Sequence, residues 1–161
     1  MKSRKSSSLV PAGDLGSLFM RIGVGVVFAW HGWLKFDGGV GNFAGFLGSL
    51  NVPAPEVVAW LTVIAEGVGG LLLIIGLLTR YVTLPLIATM IGAILTVKAD
   101  VGFIVQGGAG AELDVALLAG LFGLLFIGPG RLSLDAVIGR VTGREGEAQS
   151  VSHDHRALVD A

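Results

Sequence analysis

Three ionisable side chains stand inside otherwise apolar runs of this sequence: Arg21 and His31 in the first run, and Glu66 in the second. A charged residue at the centre of a membrane-crossing helix costs roughly 2.5–3.5 kcal/mol on insertion scales, so each needs a partner or a task. A carboxylate near a histidine can take up and pass on protons, and a guanidinium can hold that carboxylate charged. At about 100° per residue, Arg21, His31 and Lys35 fall on one side of the first helix. Counted from the expected inner end, Arg21 lies about 9 Å deep and Glu66 about 16 Å, a gap that a guanidinium spans. An Arg21–Glu66 ion pair is therefore expected, with His31 about 8 Å above Glu66 and reachable through a water or a ligand. In this reading His31 and Glu66 are the candidate catalytic groups, and Arg21, Lys35 and Glu66 the candidate ligand-binding groups. The bland alternatives stand beside it. An Arg–Glu pair can serve only to register two helices, His31 between Trp30 and Trp33 can be an interface anchor, and Lys35 can snorkel to the headgroups.

Other polar features carry less chemistry. Glu112 and Asp114 open the last apolar run, where carboxylates complement a helix dipole; the alternative is a place at the outer mouth of a pocket. His153-Asp154-His155 has metal-ligand residue types without a fixed geometry, so no metal site is expected. Gly67, Gly69 and Gly70 follow no strand and are read as packing residues, not a phosphate loop. The chain has no cysteine, which excludes disulfides, thiolate nucleophiles and cysteine-bound iron–sulfur clusters within these residues.

The elements that must position these groups follow from composition. Hydrophobic residues make up 53% of the 161 and charged residues 14%, too little charge to cover a water-facing surface. The chain has 26 glycines, many of them within the apolar runs, where small residues let helices approach in lipid. A first helix is expected from Leu15 to Leu34, capped by Asp14 and retained, since Trp33, Leu34 and Phe36 stand where a signal peptidase would need small residues. Phe43, Phe46, Leu47 and Leu50 share a face and mark a short interfacial helix. Pro55 and Glu56 open a second spanning helix from about Val57 to Leu78. A third follows from Tyr81 to Lys98 with Pro85 near its start, and a fourth from Glu112 to Ile127, at about 24 Å the shortest. Gly128-Pro129-Gly130 stops it, and Ser133 caps a second interfacial helix with Leu134, Val137, Ile138 and Val141 on one face.

The expected fold class is an all-α membrane protein, a four-transmembrane-helix bundle with short interfacial helices. Its parts are a polar tail over residues 1–13, a membrane domain over 14–138 and a polar tail over 139–161. With the N-terminus inside, Lys2, Arg4, Lys5, Arg80, Arg131, Arg140, Arg144 and Arg156 are cytoplasmic, against Lys35 and Lys98 outside. The positive-inside rule then places both termini in the cytoplasm. The lipid bilayer is the first partner. The net charge of -1 gives no reason to expect nucleic acid, and a homo-oligomer is left open.

Three motifs together resemble the DoxX family. Arg21-Ile-Gly with Trp30-His31-Gly32 and Lys35 is similar to the family's first-helix pattern. Ala65-Glu66-Gly67-Val68-Gly69-Gly70, then Gly76-Leu-Leu-Thr79-Arg80, resembles its second-helix signature. Gly128-Pro-Gly130-Arg-Leu-Ser133-Leu-Asp135 is similar to its closing motif. The resemblance covers about residues 15–138 and implies a four-helix bundle in a bacterial or archaeal cytoplasmic membrane. It also implies an association with oxidoreductases, some relatives being subunits of quinone-linked sulfur oxidation systems. Where relatives often carry a histidine after the third helix, this chain reads Val97-Lys98-Ala99-Asp100.

The function expected on these grounds is a membrane subunit of a redox complex. It would bind no covalent cofactor and would hold quinone between the first two helices. His31 would hydrogen-bond a quinone carbonyl, and Glu66 would relay protons while paired with Arg21. A soluble oxidoreductase partner would supply electrons, docking at Arg80, Arg131 and Asp135. The alternative is a non-catalytic membrane scaffold, or a small-molecule or lipid-handling protein. Whether quinone occupies the bundle discriminates the two.

Overall fold

The computed structural model describes residues 12–99, 101–105 and 110–143, all of its regular structure helical. Its elements are α1 (Ala12–Asp37), α2 (Val40–Ser49), α3 (Pro55–Ile75), α4 (Thr79–Thr96) and α5 (Glu112–Ile127). A last helix, α6, covers residues 134–143. The expected metal-like tract at His153–His155 and the tails over residues 1–11 and 144–161 lie outside the described residues.

Local chemistry sets the boundaries. α1 begins at Ala12, before Asp14, so Asp14 sits in the first turn and is not the cap expected for it. Gly39, at φ 90°, turns the chain into α2. Pro55 stands at the start of α3, where its missing N–H costs nothing, and Glu56 lies in the first turn as expected. α3 closes with Gly76 at φ 71°, and α4 begins three residues later, after Leu78 at φ 51°. The hairpin turn is therefore residues 76–78, slightly earlier than the expected Thr79-Arg80. Pro85 lies inside α4. Ser133 Oγ accepts from Ala136 N–H, the expected cap of α6.

α1, α3 and α4 are each long and apolar enough to cross a membrane. α5, with 16 residues, spans about 24 Å against a hydrocarbon core of about 30 Å. The bundle core is formed by Phe28 of α1, Leu73 of α3, Val82, Leu86 and Met90 of α4, and Leu121 and Leu124 of α5. A second cluster joins Val40, Ala44 and Leu47 of α2 to Ala59 and Val63 of α3, which seats α2 over one end of the bundle. The outward surface is apolar: Phe19, Leu61, Leu71 and Leu95 are all more than half exposed. Trp30, Trp33 and Phe36 are exposed at the Lys35 end, and Tyr81 and Phe126 at the Arg21 end. Such aromatic rings at both levels are what two membrane–water interfaces select.

Candidate functional site

Ser17, Arg21, Gly25, Phe28 and Gly32 are the buried residues of α1, spaced by three or four along one stripe. The stripe packs on α3 through glycines. A Cβ on Gly32 would run into the backbone of Gly67, and one on Gly70 would lie 2.7 Å from Gly25 O and 2.9 Å from Ala29 Cα. Only hydrogen fits at these crossings, so the two helices pack backbone to backbone.

This contact sets the register of the polar residues. With Gly32 level with Gly67, Lys35 stands about 4.5 Å above the crossing and Glu66 about 1.5 Å above it. The two meet: Lys35 Nζ donates to Glu66 Oε2, and their side chains are 23% and 3% exposed. By the same register Arg21 lies about 16 Å below the crossing, so the expected Arg21–Glu66 pair does not form. The helix ends, from which that expectation was counted, are not level with one another; the glycine crossing is the true reference.

Around the pair lies a cavity of about 880 Å³, walled by α1, α3, α4 and α5 and covered by α2. Phe28, Phe43, Phe46, Leu47, Met90 and Leu117 make most of its wall apolar. Its polar groups are His31, Lys35, Thr62, Glu66, Thr89, Thr96, Lys98 and Asp114. Lys35 Nζ also sits 5.6 Å from the centroid of the Phe43 ring, a cation–π contact that ties α2 to the site. His31 Nδ1 is 2.8 Å from Val27 O. A carbonyl only accepts, so this nitrogen carries the proton, and in a neutral ring Nε2 is left as an acceptor. Asp114, read first as a dipole-complementing residue, lines the cavity, and its buried Oδ2 has no hydrogen-bond partner among the described residues. The structure thus brings His31, Lys35 and Glu66 together and adds Asp114.

Arg21 belongs to a separate centre at the other end. Fully buried, it donates from Nη2 to Leu132 O at 2.6 Å and from Nη1 to Ile74 O at 3.4 Å. Ser17 Oγ donates to Gly128 O at 2.8 Å, and Arg131 N–H donates to Asp14 Oδ1 at 2.8 Å. The Asp135 carboxylate accepts from Leu78 N–H at 2.8 Å and Thr79 N–H at 3.1 Å, satisfying donors at the start of α4. The segment after α5 is therefore a latch across the ends of α1, α3 and α4. Of the docking residues expected there, Asp135 is engaged in this cap and Arg80 Nη2 donates to Phe126 O at 3.4 Å, while Arg80 and Arg131 are exposed.

The sequence signal for Lys35 was the stripe itself, since Lys35 continues the buried series three residues beyond Gly32. The signal for Asp114 was weaker, a carboxylate in the first turn of a helix whose neighbours are apolar.

A family model described as DoxX matches residues 16–99. The chain is 35% identical over 125 residues to the Bacillus subtilis (strain 168) protein named "Putative oxidoreductase CatD", covering 78% of this chain and 88% of that one. It is 39% identical over 129 residues to the Mycobacterium tuberculosis (strain ATCC 25618 / H37Rv) protein named "Uncharacterized membrane protein Rv3486", covering 72% and 77% respectively. No solved structure matches. The match spans the helices that carry Arg21, His31, Lys35 and Glu66, and with it this chain belongs to the DoxX family of membrane proteins.

Proposed function

We propose that this protein is the membrane subunit of a quinone-linked redox complex, and that the cavity beside Lys35 and Glu66 is its quinone site. The observation that carries this reading is a buried ion pair placed in the wall of a cavity that is otherwise mainly apolar. At about 880 Å³ the cavity falls within the range of small-molecule sites, which are largely apolar with a few convergent polar groups. A quinone has that character, with two polar oxygens on an apolar ring and tail. The residues fit such a group, and the unpartnered Asp114 Oδ2 is a polar position that a ligand can complete. The name of the Bacillus subtilis relative supports an oxidoreductase role.

When bound, a quinone supplies two-electron, two-proton carrier chemistry. The side chains around it orient the head group, hold protons and exclude water. Lys35 offsets the charge of Glu66, so the carboxylate can exchange a proton next to the ligand while the pair stays in place. His31 donates from Nε2 only as an imidazolium, because its Nδ1 proton is held by Val27 O. A soluble oxidoreductase partner delivers the electrons, with the exposed Arg80 and Arg131 as its docking groups.

In this reading α5 is a fourth span, both termini are cytoplasmic, and α2 and α6 lie in the interfaces of the cytoplasmic membrane. The partly exposed apolar face of α6, at Leu134, Val137, Ile138 and Val141, supports that placement. The test is mass spectrometry of lipids co-purified in mild detergent, comparing the parent with His31→Ala and Glu66→Gln. Near-stoichiometric quinone in the parent, lost from folded variants, is the expected result. Quinone at bulk-membrane levels in all three would leave a scaffold or lipid-handling protein instead.

A further inference from the structure

The ionisable groups of the cavity are gathered on one side of it. His31 and Lys35 come from α1, Glu66 from the buried face of α3 and Asp114 from α5, while Lys98 stands beyond the end of α4. The wall where α3 faces α4 is built differently. At the hairpin end these two helices close on each other: a Cβ on Gly69 would lie 3.3 Å from Val82 Cγ1 and 3.4 Å from Leu86 Cδ2. Beyond that contact the seam opens. On α3 the cavity is lined by Leu61 and Ile64, which are also 63% and 52% exposed. On α4 it is lined by Ala88 and Gly92, both exposed, and a Cβ on Gly92 would meet nothing within 4 Å among the described residues. Residues that face the cavity and the exterior together form the rim of an opening. That rim is mainly apolar. Thr89 Oγ1 donates to Leu86 O at 2.8 Å and Thr96 Oγ1 to Gly92 O at 2.7 Å, so these two hydroxyls serve their own helix. Thr62, half-buried, adds one hydroxyl that can donate to a ligand oxygen or accept from one. Ile64 and Ala88 stand near the middle of α3 and α4, both long and apolar enough to span, so the opening faces hydrocarbon.

Resting on the quinone-site reading above, we infer that this seam is a lateral portal. The ligand enters from the bilayer between α3 and α4, its polar ring lodges beside Lys35 and Glu66, and its tail lies in the seam with its end in lipid. The ligand class is therefore a membrane-dissolved quinone with a long apolar tail. The change of polarity across the cavity orients it. The ring gains its hydrogen bonds at the side that carries His31, Lys35, Glu66 and Asp114. The tail loses nothing between Leu61, Ile64 and Ala88, because lipid chains are as apolar as these side chains. The small side chains of Ala88 and Gly92 leave the width that a chain of methylenes or isoprene units needs.

The test uses the full chain in nanodiscs and two photoactivatable decyl-chain benzoquinones, one with an azide on the ring and one with a diazirine at the end of the tail. The tail probe is expected to label Leu61 and, on α4, Ala88 to Gly92. Gly92→Trp fills the seam from its exposed side and should lower that labelling at least about tenfold, the scale on which an overfilled apolar position rejects a group. Ala88→Phe, also at an exposed position, is the second variant and should act in the same direction if Gly92→Trp fails to fold. Tail labelling on α2 or α5 instead, with the ring probe still in the cavity, would overturn the portal and leave the quinone site standing. Seam labelling unchanged in the folded variants would overturn it as well. A diazirine fatty acid that labels the seam equally and is not displaced by decyl-benzoquinone would make the seam an ordinary lipid groove and overturn the portal. So would a disulfide-linked dimer of Gly92→Cys in native membranes, since a chain with no other cysteine can form it only across an interface between copies. A ring probe that fails to label the cavity of folded parent protein would overturn the site itself, and the portal with it.

Discussion

Lys35 and Glu66 are unequally placed, so removing one should not cost the same as removing the other. Glu66 is 2% exposed and packed against the glycine crossing, whereas the Lys35 side chain is 23% exposed near the end of α1. Lys35→Met leaves a carboxylate buried without its cation, and breaking a buried pair in this way costs about 3–5 kcal/mol. Glu66→Gln leaves an ammonium on a four-carbon stem that can lift toward the headgroups, so the loss should fall to about 1 kcal/mol. The double variant Lys35→Met/Glu66→Gln removes the stranded charge and should be about as stable as Glu66→Gln alone. The resulting coupling energy is about 3–5 kcal/mol, at or above the upper end for residues in contact. Reversible unfolding in bicelles, followed by steric trapping, measures all four proteins on one scale. Equal losses in the two single variants with an additive double variant would refute the pairing and the unequal burial on which the site rests.

Further outcomes follow from the same geometry. Gly32→Ala and Gly70→Ala force α1 and α3 apart and should each cost about 1–3 kcal/mol in thermal unfolding, whereas Gly23→Ala, with open space beside it, should be neutral or stabilise slightly. Exchanging charges in Arg21→Glu/Glu66→Arg should not restore the folding lost in the single variants, because the two residues stand about 18 Å apart along the bundle. Asp135→Ala removes the cap of α4 and should lower stability by about 1–2 kcal/mol without changing quinone content, which unfolding and lipid extraction together would show. With no native cysteine to remove, Asp37→Cys and Val141→Cys can be labelled directly in intact cells. An impermeant maleimide should reach the first from outside and the second only after lysis.

Much of the helix order was legible because apolar runs of membrane length, broken by Pro and Gly, leave few other readings. Glu112–Ile127 was bounded to the residue, and the turns at Pro55 and Gly128 fell where their backbone chemistry requires. The family was legible from three short motifs in order. What the sequence hid was depth. Arg21 and Glu66 share the buried faces of neighbouring helices, and only the Gly32–Gly67 contact shows that they lie at different levels. That contact depends on two backbones meeting, which no side-chain pattern records. Asp114 was legible only as the alternative, a place at the outer mouth of a pocket, because His31 and Lys35 of α1 and Glu66 of α3, which share the cavity with it, are far away in the chain.

A quinone held in the cavity beside Lys35 and Glu66 should be displaced there by a photoactivatable short-chain azidoquinone. Added to the protein in native-lipid nanodiscs and illuminated, it should label peptides carrying Phe43 to Leu47 and Thr62 to Glu66. An excess of unmodified quinone should abolish that labelling. Labelling confined to outward-facing positions such as Phe19 and Tyr81, and insensitive to competitor, would contradict the account.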